Sequence, residues 1–263
     1  MKRYAKILFI FIVGVTNAYG QKNDQNADWQ KLILNNDTLS KKEGKQDFVK
    51  YNFGPLWTAQ DNSYVYGFIG ENYQRIRIKI TSAIKDKKHS DTYLIKGKSS
   101  VKGNISEFSG TIRITKLRIY KKMHWGVDDE YIKKGIRKQG VLIAEYHFLE
   151  DKTKTHSGIF DGVLSTSWYI DKIGKLRYDD IERDSDSYRN NQFVGTWKGY
   201  ANQPAMICNW GDYRIPFSGD LDAGAAEFSP VDKYLRYGWQ SLHDALFSNN
   251  REARSEEEKQ WWK

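Results

Sequence analysis

The stretch Gly110–Lys122, GTIRITKLRIYKK, decides the class of fold. Ile112 and Ile114 alternate with Arg113 and Thr115, the period-two pattern of a strand with one wet face. Leu117 and Ile119 carry the apolar face onward, but one position out of phase, with the slip at Lys116. A single-residue slip inside a strand predicts a β-bulge, which bends and twists a sheet toward closure.

Upstream, RIRIKI puts Arg75, Arg77 and Lys79 on one face and Ile76, Ile78 and Ile80 on the other. Downstream, GVLIAEYHF (Gly140–Phe148), GIFDGVLSTSWYID (Gly158–Asp171) and GKLRYDDI (Gly174–Ile181) read as further strands. The turn DKIG joins the last two as an antiparallel hairpin. Phe-x-Gly recurs at Phe68, Phe108, Phe160, Phe193 and Phe217, too irregularly for a solenoid or propeller. In this reading Phe seals the core while Gly permits a bend or a close backbone approach. The expected fold is mainly β, an antiparallel curved sheet forming a lipocalin-like barrel or a sandwich.

A C-terminal amphipathic helix follows. Ser229 is placed to cap it, Pro230 to begin it, and Val231, Leu235, Trp239, Leu242 and Leu246 fall on one face. The chain thus divides into an export signal (1–20), a polar leader and linker (21–60), a barrel-like domain (61–228) and a helical segment (229–263). The signal rests on Lys2, Arg3 and Lys6, the apolar run ILFIFIVGV, and small residues at Ala18 and Gly20. That run is about half of the roughly 20 residues that a span needs, and no second one follows, so no transmembrane segment is expected after cleavage. The only cysteine is Cys208, which excludes both an internal disulfide and a lipoprotein anchor at the cleavage point. A periplasmic or secreted location is expected.

The formal charge of +9 is concentrated in Glu71–Gly140, where 18 Lys or Arg stand against 7 Asp or Glu. Arg75, Arg77, Lys79, Arg113 and Arg118 form a candidate basic face for an acidic protein or an anionic envelope component; nucleic acid is not expected outside the cytoplasm. The more ordinary reading of the same residues is solubilising charge that guards strand edges. A second candidate is the aromatic and acidic block around Trp197, Tyr200, Trp210, Asp212 and Tyr213. Its composition suits a glycan, lipid or other small ligand, and it also suits core packing. DLDAGAAE, with Asp220, Asp222 and Glu227, falls short of a calcium loop. The five histidines lack metal-ligand spacing, and no cofactor or metal is expected. Nucleophile elbows, phosphate loops and dinucleotide fingerprints are absent, and Cys208 has no nucleophile motif around it.

FVGTWK (Phe193–Lys198) resembles the first strand of lipocalins and fatty-acid-binding proteins, though only 71 residues run from Phe193 to the end. YGFIGENYQRIRIKITS, KGNISEFSGTIRIT, AEYHFLED, GKLRYDDI, NNQFVGTWKGY and CNWGDYRIPFSGDLDAGAAEFSP together resemble a group of secreted β-rich proteins of Bacteroidota, over Tyr64 to the C-terminus. That resemblance implies export and brings no activity with it. The sequence therefore points to an exported binding protein that is not catalytic. The alternatives are an inhibitor or immunity module using the basic face, and an enzyme acting on envelope polysaccharide.

Overall fold

The computed structural model describes residues 22–59, 61–201 and 204–263. The export signal read at residues 1–20 lies outside the described residues. Three short helices come first: α1 (Lys22–Leu34), α2 (Lys45–Phe48) and α3 (Gly54–Thr58). The strands are β1 (Val65–Ile69), β2 (Gln74–Lys85), β3 (Thr92–Val101), β4 (Asn104–Ile119), β5 (Ile136–Glu150), β6 (Gly158–Asp171), β7 (Leu176–Tyr178), β8 (Asn190–Gly199) and β9 (Met206–Asp212). Two helices end the chain, α4 (Gln240–Phe247) and α5 (Arg251–Glu258). No described helix is long and apolar enough to cross a membrane.

Eight of the strands close into an antiparallel barrel. Neighbours in sequence pair from β1 to β6, then β6 with β8, β8 with β9, and β9 back onto β1. β7 stands outside the ring. The first half of β6 pairs with β8 and its second half with β7, because β8 ends its pairing with β6 at Ser165↔Gln192. The bulge expected at Lys116 is present: β4 slips against β5 between Ile114 and Lys116, and Leu117 returns to the core. A barrel, rather than a sandwich, follows from such slips in four of the strand pairs.

The inward faces carry Ile76, Ile78 and Ile80 as expected, but most of the volume is aromatic. Phe193 stacks on Trp210 at 4.5 Å between ring centroids and Phe108 on Phe148 at 5.0 Å. Phe108, Phe160 and Phe193 of the Phe-x-Gly set face this core. Phe68 and Phe217 do not: Phe68 points outward into a second apolar cluster, and Phe217 is partly exposed outside the barrel against Trp29.

One mouth is plugged by the segment from Phe48 to Trp57. Phe53 is fully buried with its edge toward Trp168, Trp57 sits edge-on to Tyr93 at 5.0 Å, and the Phe53 N–H donates to the Tyr93 hydroxyl at 2.9 Å. At the C-terminus, the single expected helix is broken. Pro230 is held in a β-bridge with Asp222, so helical structure begins later, as a 3-10 turn over Asp232–Tyr237. Gly238 (φ +94°) then redirects the chain into α4. Trp239 and Leu242 are buried on the outer wall of β1, whereas Leu246 is 39% exposed.

Candidate functional site

The carrier arrangement suggested by a lipocalin-like barrel needs a hollow interior, and here aromatic side chains fill it. The interior cavity beside Asp212 measures about 30 Å³, room for a single water.

The start of β8 is the unusual element. Asn190 pairs with Asp212 and Phe193 with Trp210, so β8 spends three steps where β9 spends two. Asn191 sits within that bulge at φ +44°, a left-handed conformation that Asn tolerates better than most residues. The bulge turns its amide inward. Nδ2 donates to Leu56 O and to Asp212 Oδ2, both at 2.8 Å, and Oδ1 accepts from the Thr166 hydroxyl at 2.8 Å. The Thr166 hydroxyl accepts in turn from Trp57 Nε1 at 3.0 Å, so the bulge fastens the plug to the wall. Asp212 Oδ2 also accepts from the Tyr178 hydroxyl at 2.8 Å. Burial pushes the Asp212 carboxyl up to about 7, only partly offset by the hydrogen bonds from Tyr178 and Asn191 and by the nearby charge of Lys79. Backbone strain of this kind concentrates at functional sites.

On the outer side of the same bulge, Asn190 extends the ladder that β8 has left. Its side chain accepts from Ser167 N at 2.8 Å and donates to Ser167 O at 3.0 Å. Gln192 donates through Nε2 to Arg214 O at 2.8 Å, while its buried Oε1 has no partner among the described residues. These residues form part of a groove of about 740 Å³ between α1 and the outer wall of β5, β6 and β8. α1 is held there by Trp29, which is buried with Val163 and Val194 and donates from Nε1 to Ser165 Oγ at 3.2 Å. Leu32, Ile33, Leu39 and Val141 give the groove an apolar strip, and Arg189 stands exposed at its rim.

The structure separates the five residues of the aromatic and acidic block. Trp197 and Tyr200 lie at the far mouth, both on Glu150: Trp197 Nε1 donates to its carboxylate at 2.9 Å and the Tyr200 hydroxyl to its backbone oxygen at 3.0 Å. Trp210 is in the core. Asp212 belongs to the plug network, and Tyr213 stacks on Tyr64 at 4.8 Å outside that mouth. Alternation along β9 explains the split between Trp210, Asp212 and their outward neighbours, while the β8–β9 turn carries Tyr200 to the opposite end.

The basic face does point away from the barrel core, yet other parts of the chain engage all five residues. Arg75 and Arg77 lie under α5 and bind the Glu257 carboxylate, Arg75 Nη1 at 2.8 Å and Arg77 Nη2 at 3.0 Å. Lys79 lies over the Trp262 ring at 5.1 Å. Arg113 pairs with Glu145 and Arg118 with Glu43, each at 2.6 Å. In DLDAGAAE, Asp222 binds Arg214 at 2.6 Å and Asp220 binds Lys233 and Tyr234, which makes the stretch a braced turn. Cys208 is fully buried, and burial pushes its thiol well up. Among the described residues no group of three His, Cys, Asp or Glu is placed to hold a metal ion.

Sequence reasoning missed Asn190, Asn191, Gln192, Thr166 and Tyr178. The signal for the first three was three consecutive amides at the head of a strand, where alternation alone would place an apolar residue. Comparison of the chain with protein-family models, with curated proteins and with solved structures finds no match.

Proposed function

We propose that the protein is an exported, non-catalytic binding protein that holds a small amphipathic ligand in the groove between α1 and the barrel wall. The observation that carries this reading is the groove's lining, an apolar strip along α1 and the barrel wall with the exposed Arg189 guanidinium at its rim. A volume of about 740 Å³ lies within the roughly 300–1,000 Å³ of small-molecule sites. The strip of Leu32, Ile33, Leu39 and Val141 suits a hydrocarbon body, and Arg189 at the rim suits an anionic head. The resemblance to secreted proteins of Bacteroidota supports export. An acidic protein partner on the Arg75–Arg77 row would first have to displace Glu257, which makes that reading second.

Titration calorimetry of the purified protein with decanoate and with decanol tests the proposal. Decanoate is expected to bind at least tenfold more tightly than decanol, and Arg189→Gln to abolish the difference. Absence of binding by either compound, or binding by both that ignores Arg189, overturns it.

A further inference from the structure

The plugged mouth carries a second concavity, of about 600 Å³, between α3, the loop preceding β5 and the β6–β7 hairpin. It shares no lining residue with the α1 groove. Its walls include three phenol rings, Tyr131, Tyr169 and Tyr178. Burial first, and then the Asp180 carboxylate, push the Tyr131 phenol up to about 12, and the same two causes raise Tyr169. Asp180 lines the same cleft as both rings.

Lys134, Lys172 and Lys175 line the same cleft. The Lys134 ammonium lies 3.7 Å from the centroid of the Tyr131 ring. Lys172 and Lys175 stand exposed on the hairpin, and among the described residues neither is in an ion pair. Arg177 is already committed, its Nε bonded to Asp171 Oδ2 at 2.8 Å.

We propose that this cleft binds an acidic saccharide, a chain containing uronate residues. Each part of the lining answers one part of such a ligand. The Tyr169 ring packs on the C–H face of a pyranose ring, and Lys172 and Lys175 meet the carboxylates. Asp180 accepts hydrogen bonds from hydroxyl groups, as a carboxylate is equipped to do. A bare polyanion would gain nothing from the tyrosine rings, whereas a uronate chain also offers ring faces to pack on them and hydroxyl groups for Asp180 to bind. A neutral sugar would leave Lys172 and Lys175 without a role.

The test is calorimetric titration of the full chain with trigalacturonate, with its carboxyl-reduced neutral counterpart and with uridine monophosphate. Trigalacturonate is expected to bind, and the reduced trisaccharide to bind at least tenfold more weakly. The double substitution Lys172→Gln/Lys175→Gln is expected to weaken trigalacturonate binding about tenfold, and Tyr169→Leu to weaken it similarly, with near-ultraviolet circular dichroism unchanged for the lysine variant. Arg189→Gln is expected to leave it unaltered, which separates this site from the α1 groove. Equal binding of the reduced trisaccharide, tighter binding of the nucleotide, indifference to both the lysine and the tyrosine substitutions, or no binding of trigalacturonate overturns the proposal.

Discussion

Gly162 and Gly195 face each other across β6 and β8 beneath the ring of Tyr146. A Cβ added at Gly162 would stand 2.2 Å from Val194 O and 2.6 Å from the Tyr146 hydroxyl, so neither backbone nor ring can yield. Gly162→Ala is expected to cost about 3 kcal/mol. Gly103, at φ +79° with nothing within 4 Å, bears only the left-handed penalty, and its Ala variant is expected to cost about 1 kcal/mol. Urea denaturation of the two variants measures the contrast. The Phe-x-Gly repeat made this role legible, because a glycine recurring inside strand patterns signals close backbone approach.

Asp212 gives a pH prediction at the same scale. Its carboxyl titrates near 7 in the fold and near its ordinary 3.8 when unfolded, so between those values the folded state holds the extra proton. Stability is therefore expected to fall as pH rises through that window, by about 4 kcal/mol at most. Asp179, also raised to about 7 by burial, adds a share of the same sign. Denaturant midpoints at pH 5 and pH 8 should show the drop, and Asp212→Asn should remove its share of it. A carboxylate inside the barrel was not legible as such: the sequence shows Asp212 at the end of a strand, and only the β8 bulge and the arrival of Tyr178 decide what surrounds it.

At the scale of elements, α5 is fixed by one buried carboxylate, Glu257, held between two guanidiniums. The Arg75 and Glu257 side chains are each 7% exposed, and Glu257 also accepts from Arg77 and Ser241. Burial raises the Glu257 carboxyl, but the two guanidiniums outweigh it and hold the group below its ordinary range. Arg75→Met is expected to cost about 3 kcal/mol by leaving Glu257 short of its partner, and adding Glu257→Leu to recover part of that loss. A double-mutant cycle in guanidinium chloride reads the coupling. Strands were legible where a period of two runs through them, as from Arg75 to Ile80. α2 and α3, at four and five residues, are too short to display a helical period, and their apolar content reflects the Trp168 and Tyr93 rings that they cover. α5 reads as a charged surface helix until its partners, some 180 residues earlier, are known.

For the molecule as a whole, the nine tryptophans divide into two classes. Trp29, Trp57, Trp168, Trp210 and Trp239 are each 5% exposed or less, while Trp125, Trp197, Trp261 and Trp262 are partly exposed. Acrylamide is expected to quench only part of the intrinsic fluorescence, with the shielded fraction becoming accessible together on unfolding; uniform quenching in the native state would contradict the filled barrel. Closure itself was legible only as a tendency toward curvature, since a barrel and a sandwich share the same alternation and differ in which strands meet last.

Those last partners are β1 and β9. Their seam joins Val65 to Asp212 and Ile69 to Cys208, while every other pairing in the ring connects strands much nearer in sequence. A chain that has assembled β1 through β8 is still an open sheet with two raw edges, and it stays so until β9 arrives. Because the seam closes the longest loop in the ring, its formation is expected to be slow, and the open sheet before it is the state in which one chain can add its edge to another. The edges on which two chains could pair are thus removed only when β9 closes the ring.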